Sequence, residues 1–310
     1  SKPKGNELLI DVMAAAVNPI DTYIRSGAVA LPLNFPYVVG SDFAGEVIAC
    51  GPDAKNFKPG DRVWGSNQGL AGRQGTFSEE IVVAEEWVYP MPEGQSFESA
   101  AAGALVGITA HLGLFLHGDL KAGETVFVNG GTGGVGSTVV QFSKAVGAKV
   151  IATVGSDEKK KQCEELGADL AINYKTEDVD AQIQKFVGEG GGVNLWFETL
   201  RQQDPERTIG LLAKRGRYIV MAGREARPEF PIGPFYVKDL RMIGFAMFNA
   251  SPAEQGACAM QMNEWFTAGK WSPQIGAKFP LDDAAKAHQL QEQNTLEGQG
   301  SLSGKIIVTM

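Results

Sequence analysis

Cysteine and histidine, two side chains that often bind zinc, are scarce in this chain of 310 residues. There are three of each, and the cysteines, Cys50, Cys163 and Cys258, lie far apart without a C-x-x-C pair. The histidines show no paired spacing either, so each is interpreted as a packing or surface residue. These spacings predict no disulfide framework and give no metal-binding motif, and free thiols suit a reducing compartment.

Long apolar runs and an excess of basic residues are also missing. No stretch reaches the ~18 apolar residues of a membrane span, and the N-terminal sequence SKPKGNELLIDV lacks the apolar core of a signal peptide. The formal net charge of −8 gives no support to a nucleic-acid partner. We therefore expect a cytoplasmic protein that contacts no membrane.

The most informative stretch that is present is ETVFVNGGTGGVG, residues 124–136. A short β-type run, Val126–Val128, leads into a glycine-rich loop, and a helical pattern starts at Val135. Such a turn lets a pyrophosphate approach the backbone and the helix N-terminus closely. A plain tight turn is the alternative, but the strand and helix on either side favour a dinucleotide site. The residues predicted to bind the cofactor are Gly131, Thr132, Gly133, Gly134, Val135 and Gly136.

The chain changes character near Ser96. Before it, short strand patterns between Gly and Pro turns predict a β-rich domain. After it, strands and helices alternate, which predicts a doubly wound parallel sheet of six strands, a count that suits dinucleotide binding. The segment between the two is interpreted as two helices, Phe97–Gly103 and Leu105–Phe115. The last strand, Lys305–Val308, is predicted to return to the β-rich domain. The predicted boundaries are 1–103 with 249–310 for the β-rich domain, and 104–248 for the nucleotide-binding domain.

The second strand of the alternating block lacks the acidic residue that holds the ribose in NAD sites, about 20 residues after the first glycine. The strand ends at Val154, and Ser156 and a run of three lysines follow. A small residue leaves room for a 2′-phosphate, and a hydroxyl with an ammonium can bind it. We therefore predict NADPH, with Ser156 and Lys160 at the phosphate. Alternatively the lysines form a solvated helix face, and Asp157 and Glu158 keep NADH open.

A family resemblance rests on motifs spread over nearly the whole chain. They are VNPIDTYIRSG (17–27), VVGSDFAGEV (38–47), KPGDRVWG (58–65), ALVGITAH (104–111), VFVNGGTGGVG (126–136), LGADLAINY (166–174) and GKIIV (304–308). In this order they resemble the medium-chain dehydrogenase/reductases, specifically the zinc-free quinone oxidoreductase (zeta-crystallin-like) family. The resemblance implies a Rossmann domain, a GroES-like catalytic domain and a homodimer. It also implies a further segment, with a first strand, ahead of Ser1.

The resemblance also indicates which zinc ligands are missing. Asn18 stands where zinc-dependent members have a cysteine, and Ser41 stands where they have a histidine. The four-cysteine lobe would fall in the region 64–80, which has no cysteine. The site is therefore expected to bind no metal.

The residues that the family places at the active site lie in both domains. Asn18 and Thr109 are expected against the nicotinamide, and Asp21 and Tyr23 at the substrate pocket, where Tyr23 could donate a proton. Alternatively Tyr23 is a wall residue, and Asp21 caps the turn after Pro19. The resemblance also assigns cofactor-binding roles to Tyr174 and Lys305, near the adenosine 2′-phosphate, and to Gly223 and Phe245, the latter with ordinary core as its alternative.

The predicted activity follows from the missing metal. Without a Lewis acid, the chemistry suits a conjugated acceptor, so we expect hydride transfer from NADPH to a quinone or an α,β-unsaturated carbonyl. Val29 stands where many quinone oxidoreductases have a second tyrosine, which makes the pocket more apolar. Three alternatives remain open: a 2-enoyl thioester reductase, a protein that binds NADPH without turnover, and an RNA-binding or structural zeta-crystallin-like protein. The acidic charge argues mildly against RNA.

Overall fold

The computed structural model describes residues 2–30 and 32–310, and the chain divides into two compact units. The first, here called the β-rich unit, combines Ser1–Ile108 with Ala250–Met310. The second, the α/β unit, is Thr109–Asn249. Both junctions lie close to the boundaries predicted from the sequence, and the first falls inside a helix.

Strands dominate the β-rich unit, and elements are numbered along the whole chain. Its strands are β1 (Glu7–Val17), β2 (Asp42–Cys50), β3 (Arg62–Gly65), β4 (Glu80–Ala84), β5 (Val88–Pro90), β12 (Ile275–Pro280) and β13 (Lys305–Thr309). Its helices are α1 (Pro19–Arg25), α2 (Phe97–His111), α8 (Pro252–Thr267) and α9 (Ala284–Thr295). Among the described residues these strands form one seven-stranded sheet, ordered β12-β13-β1-β2-β3-β5, with β4 paired to β1.

The return of the last strand to this sheet is confirmed. β13 pairs antiparallel with β1, with Ala16 opposite Ile307, and parallel with β12. Leu8, Ile10 and Val12 alternate along β1 and are buried, as the period of two in a half-buried strand requires. The core of the unit forms on that face.

The α/β unit confirms the predicted doubly wound sheet. Its strands are β6 (Thr125–Val128), β7 (Lys149–Val154), β8 (Leu170–Asn173), β9 (Val193–Glu198), β10 (Leu212–Val220) and β11 (Arg241–Gly244). Its helices are α3 (Gly134–Ala145), α4 (Asp157–Glu165), α5 (Val179–Val187), α6 (Pro205–Leu211) and α7 (Ile232–Val237). Across the part of the chain that the structure covers, these six strands run parallel in the order β11-β10-β9-β6-β7-β8. The strand order reverses between β6 and β9, and ligands of such sheets bind at the carboxyl ends of strands beside this reversal.

The prediction of two helices between Phe97 and Phe115 is wrong. Helix α2 is continuous to His111 and runs on as a π-helix to His117. A β-carbon on Gly103 would lie 2.6 Å from the Trp271 ring, so this glycine admits a packing partner and does not end the helix.

The same helical run passes the length and hydropathy test for a membrane span, which the sequence reading did not expect of any stretch. Residues 97–117 have a mean hydropathy of 1.7 in the tested window, and 72% of that window is buried inside the protein. Such burial is typical of a core helix.

Candidate active site

The turn between β1 and α1 buries two of the predicted site residues. The backbone N–H of Asn18 donates to Asp21 Oδ2 at 2.8 Å, which closes the first turn of α1. Pro19 suits this turn because its fixed φ matches the first helical position. Asn18 and Asp21 are 0% and 1% exposed, so polar partners must be found inside the protein.

Asp21 bridges Asn18 and Ser41, the two positions that the family resemblance compares with zinc ligands. Its Oδ2 accepts from the Asn18 backbone, and its Oδ1 accepts from Ser41 Oγ at 2.8 Å. Ser41 is also fully buried. A carboxyl group therefore joins Asn18 and Ser41.

A second carboxyl, which sequence reasoning missed, holds the side chain of Asn18. Asp42 Oδ2 accepts from Asn18 Nδ2 at 2.7 Å, and Asp42 Oδ1 accepts from Ser66 Oγ at 2.6 Å and from the Leu105 N–H at 3.1 Å. Asn18 Nδ2 also donates to the Ala16 carbonyl at 3.3 Å. The amide hydrogens of Asn18 are thus engaged, and its predicted contact with a nicotinamide stays a prediction.

Lys305 completes this network, and its predicted place near the adenosine 2′-phosphate stays a prediction. Its Nζ donates to the Val17 carbonyl at 2.6 Å and to Asn18 Oδ1, and the residue is 5% exposed. Both acceptors belong to the turn between β1 and α1, so the ammonium is engaged within the β-rich unit. Its positive charge offsets the two buried carboxyl groups, Asp21 and Asp42.

Burial sets the protonation of the network. It raises the pKa of Asp21 to about 7, although the bonds from Ser41 and Asn18 oppose the rise. Burial also raises the pKa of Asp42, against the charge of Lys305, and lowers the pKa of Lys305, against both carboxylates. Asp21 therefore exchanges a proton near neutral pH, which suits a general acid or base.

The donor set does not fit zinc. Within the described ranges, no group of three or more His, Cys, Asp or Glu side chains is arranged to hold a metal ion. Asn18 and Ser41 already bond to carboxyl groups, and zinc needs three or four sulfur, nitrogen or carboxylate ligands.

Tyr23 lies two residues after Asp21 on α1 and is half-buried. Its carbonyl accepts from the Val29 N–H at 3.1 Å, which links the helix to the following turn. A role for its hydroxyl as a proton donor stays a prediction.

In the α/β unit, the glycine loop is tightly packed between β6 and α3. The Gly131 N–H donates to the Thr153 carbonyl at 2.8 Å, and a β-carbon on Gly131 would lie 2.5 Å from Cys163 Sγ. A β-carbon on Gly136 would overlap the carbonyl oxygen of Gly130. Glycine is therefore required at both positions, as a close helix–strand turn at a pyrophosphate demands.

A buried polar cluster that sequence reasoning missed fixes the shape of the loop. Asn129 Nδ2 donates to Glu198 Oε1 at 2.9 Å, and Thr153 Oγ1 donates to Asn129 Oδ1 at 3.0 Å. The Gly130 N–H donates in turn to Thr153 Oγ1 at 3.2 Å. Burial raises the pKa of Glu198. These hydrogen bonds hold the glycine loop in place in the absence of a ligand.

The other residues predicted to contact the cofactor follow the carboxyl ends of strands. Ser156 comes after β7, Tyr174 after β8, Gly223 after β10 and Phe245 after β11. Carboxyl ends of parallel strands share one edge, so the topology collects these residues where dinucleotides bind. Phe245 also packs with its ring 4.8 Å from that of His117, so ordinary packing remains its alternative.

Thr109 fits a contact with a bound nicotinamide. Its side chain is 2% exposed, and Oγ1 has no hydrogen-bond partner among the described residues. Buried hydroxyls are nearly always paired, so a partner from a ligand, such as a carboxamide, suits this atom.

The lysines after β7 have unequal surroundings. Lys160 Nζ lies 2.9 Å from Glu177 Oε2, so its charge is already offset. Burial lowers the pKa of Lys159 and the charge of Lys175 lowers it further, while the charge of Glu158 raises it. Two ammonium groups close enough to repel are stabilised by an anion, so Lys159 and Lys175, which the sequence prediction passed over, fit a phosphate better than Lys160.

The surroundings of Asp157 and Ser156 also fit a 2′-phosphate. Asp157 Oδ1 accepts from Asn173 Nδ2 at 2.8 Å, so this carboxylate is engaged by its own unit. Ser156 Oγ accepts from the Lys159 N–H at 3.2 Å, and its hydroxyl hydrogen can still be donated to a phosphate oxygen. The surroundings of β7 therefore fit NADPH.

Comparisons with known proteins agree with both units. The family model described as alcohol dehydrogenase GroES-like domain matches residues 4–93, and the one described as zinc-binding dehydrogenase matches residues 134–264. The fold and site thus define an oxidoreductase of the medium-chain dehydrogenase/reductase class.

Individual relatives narrow this class. The chain is 34% identical to the human quinone oxidoreductase over 311 residues, which covers 99% of this chain and 90% of the relative. The crystal structure of Escherichia coli quinone oxidoreductase complexed with NADPH matches with a TM-score of 0.86 and 27% identity, covering 100% of this chain and 93% of that chain. An NAD-dependent alcohol dehydrogenase structure matches with a TM-score of 0.87 and 28% identity, with the same coverage. The chain belongs to the quinone oxidoreductase family and is an enzyme.

Proposed function

We propose that this protein is an NADPH-dependent reductase that transfers hydride to quinones or α,β-unsaturated carbonyls without a metal ion. The observation that carries the proposal is the bridge from Asn18 through Asp21 to Ser41. It puts a carboxyl group that titrates near neutral pH where the zinc-dependent relatives put a Lewis acid. Conjugated acceptors need a proton and an oriented hydride donor more than they need a metal.

NADPH is the cofactor, as in the complex of the Escherichia coli relative. The loop from Gly131 to Gly136 would hold the pyrophosphate, and Thr109 Oγ1 the carboxamide. Ser156 and Lys159 would bind the 2′-phosphate beside Lys175 and Tyr174. When bound, NADPH supplies the hydride.

Asp21 would supply the proton that the reaction consumes. Reduction of a quinone by NADPH takes up one hydride and one proton, and yields hydroquinone and NADP⁺. The ionised Asp21 accepts from the Ser41 hydroxyl at Oδ1. When Oδ1 is protonated it would donate to Ser41 Oγ instead, and Ser41 would pass its own hydroxyl hydrogen on. Lys305 and Asp42 keep Asn18 fixed, and Asn18 keeps Asp21 in place.

The active form that we propose is a cytoplasmic homodimer. Strand β11 ends the parallel sheet, and Met242 on this strand is 42% exposed. Nearby in sequence, Ile232, Tyr236 and Val237 of α7 are each about two-thirds exposed, at 65%, 67% and 65%. An unpaired edge strand with exposed apolar neighbours is a ready site for a second copy.

The test is steady-state oxidation of NADPH and NADH with a quinone, a simple enal and an enoyl-CoA. We expect NADPH to be preferred and the quinone and enal to be reduced, with full activity in the presence of a zinc chelator. No oxidation with any conjugated acceptor would refute the proposed function, and preference for the enoyl-CoA would favour the thioester reductase.

Two matched lysine variants test the phosphate site in the same assay. Lys159→Ala is expected to raise the KM for NADPH about 10-fold or more, because a hydrogen bond to a charged group contributes ~1.5–3 kcal/mol. Lys160→Ala should change it less, since Glu177 already engages Lys160. The KM for NADH should not change in either variant. An equal loss in both variants would contradict this assignment.

A further inference from the structure

Asn67, in the loop after β3, combines two features that are rarely found together. Its backbone is left-handed, with φ of 63°, a conformation that is uncommon for residues other than glycine. Its side chain is 0% exposed, and neither Oδ1 nor Nδ2 has a hydrogen-bond partner among the described residues. Because both amide atoms lack partners, the observation holds for either orientation of the amide.

The backbone of Asn67 is held firmly from one side. Arg73 donates to the Asn67 carbonyl from Nε at 2.9 Å and from Nη2 at 2.7 Å. The Arg73 guanidinium in turn lies 4.8 Å from the centre of the Trp87 ring. A planar fork that is both stacked and bidentate fixes the carbonyl geometry.

The residues on either side of Asn67 belong to the buried network. Ser66 Oγ donates to Asp42 Oδ1 at 2.6 Å, and the Gln68 N–H donates to the Ser41 carbonyl at 3.2 Å. Asn67 is thus fixed between partners of Ser41 and Asp42. The residues next to Asn67 in sequence are therefore tied to Asp42 and to the backbone of Ser41, whose hydroxyl bonds to Asp21.

A second unpartnered group lies near the same place. Thr76 is fully buried, and its Oγ1 has no partner within the part of the chain described. A β-carbon on Gly40, the residue before Ser41, would lie 2.5 Å from this hydroxyl. Buried polar groups without partners are few in native proteins, and each calls for an explanation. Two of them close to Ser41 point to a polar ligand.

We propose that Asn67 binds the reducible oxygen of the acceptor, and that the acceptor is a quinone; this inference rests on the function proposed above. Nδ2 donates to the quinone carbonyl, which only accepts. Oδ1 accepts from the hydroxyl of the hydroquinone product, which can donate. An enone product keeps a carbonyl that only accepts, so an amide offering both functions is matched to the quinone and hydroquinone pair.

Three variants distinguish the effect of losing the Asn67 amide from the effect of disturbing its left-handed backbone. Asn67→Gly removes the amide but tolerates the left-handed backbone, and Asn67→Asp keeps an acceptor while losing the donor. Ala71→Gly is the matched control, because Ala71 lies in the same loop, is exposed and also has a positive φ of 50°. Thermal melting of each variant checks that the fold is retained.

The probe is tetramethylbenzoquinone, which has no free ring position for addition of a thiol. The Asn67 amide is fully buried, so a quinone reaches it only if neighbouring residues move. For this reason quinone binding is measured as well as turnover. Calorimetric titration in the presence of NADP⁺ reports binding without reaction, and NADPH oxidation gives KM and kcat.

Asn67→Gly is expected to weaken quinone binding and to raise the quinone KM about 10-fold, the usual effect of one lost hydrogen bond. NADPH affinity should not change, and Ala71→Gly should behave like the wild type. In Asn67→Asp, quinone binding should weaken while inhibition by the hydroquinone persists. Unchanged quinone binding and KM in Asn67→Gly, with an active wild type, would overturn this inference alone. A wild type that neither binds nor reduces the quinone would overturn the proposed function as well.

Discussion

Among single residues, Asp21 has the environment that most directly controls chemistry. Burial raises its pKa from 3.8 to about 7, and Asp42, Lys305 and the half-buried Tyr37 are the ionisable groups that interact with it. A carboxyl group whose pKa is raised on folding favours the folded state in its protonated form. Its contribution is complete below the unfolded pKa and is lost as pH rises through the folded pKa.

The prediction for Asp21 therefore has a defined direction. Asp21→Asn mimics the protonated form, so the melting temperature of the wild type should fall relative to the variant between pH 4 and pH 7. The kcat for quinone reduction in the wild type should decline above about pH 7, whereas the variant should be slower and lack this inflection. The measurements are melting curves and kcat profiles over pH. If the variant has the same pH dependence of kcat as the wild type, Asp21 does not supply the proton.

The sequence indicated part of this residue network and missed the rest for a physical reason. Asn18, Asp21 and Ser41 were found because they fall in short motifs near one another. Asp42 and Lys305 start strands that are otherwise buried, and each charge implies a partner somewhere in the fold. Lys305 is 287 positions from Asn18 in sequence, so only the pairing of β13 with β1 reveals which partner it has.

At the scale of elements, Arg217 of β10 links its strand to the residues before β6 through hydrogen bonds and an ion pair. Its Nη1 and Nη2 each lie 2.7 Å from an oxygen of Glu124, just before β6. Its Nε donates to the Gly118 carbonyl at 2.7 Å, where the π-helical run ends. The side chain of Arg217 is 6% exposed and that of Glu124 is 22% exposed, so solvent screens the pair only partly.

Arg217→Ala should destabilise the α/β unit strongly. We expect a loss of about 3 kcal/mol in the free energy of unfolding, because breaking a buried pair leaves a carboxylate and three carbonyls, those of Gly118, Asp119 and Asn194, without their donor. The exposed pair of Lys121 and Asp119 provides the control, and Lys121→Ala should cost far less, because solvent screens an exposed ion pair. Denaturant unfolding measures both. Equal stability of the two variants would contradict this account.

Sequence patterns gave most elements of the α/β unit and fewer of the β-rich unit. Strand β12 was missed because its residues alternate between exposed and half-buried, and because Gly276 interrupts its apolar pattern. Gly276 is required there because a β-carbon would overlap the Ser303 carbonyl. Strand β4 is only five residues long, Glu80–Ala84. Short strands of this kind depend on pairing, which local propensity does not encode.

At the scale of the whole molecule, the edge strand β11 and helix α7 would form the dimer interface. Met242→Lys combined with Val237→Lys should convert a dimer of 33.0 kDa chains to monomers, because charges on an edge oppose strand pairing. Met260→Lys is the matched control, since Met260 is 56% exposed but lies on α8 of the β-rich unit. Light scattering coupled to size exclusion gives the mass. A wild-type monomer, or a control that also dissociates, would contradict the proposed interface.

The pairing of β13 with β1 has a consequence for biosynthesis. The α/β unit is continuous in sequence, from Thr109 to Asn249, so all its strands have left the ribosome while β13 is still untranslated. The β-rich unit, in contrast, begins first and is completed last, because Lys305 arrives after the carboxyl groups that it neutralises. Domains generally fold as units during translation. The nascent chain is therefore expected to hold a finished nucleotide-binding module well before its catalytic half acquires the counter-ion for Asp42.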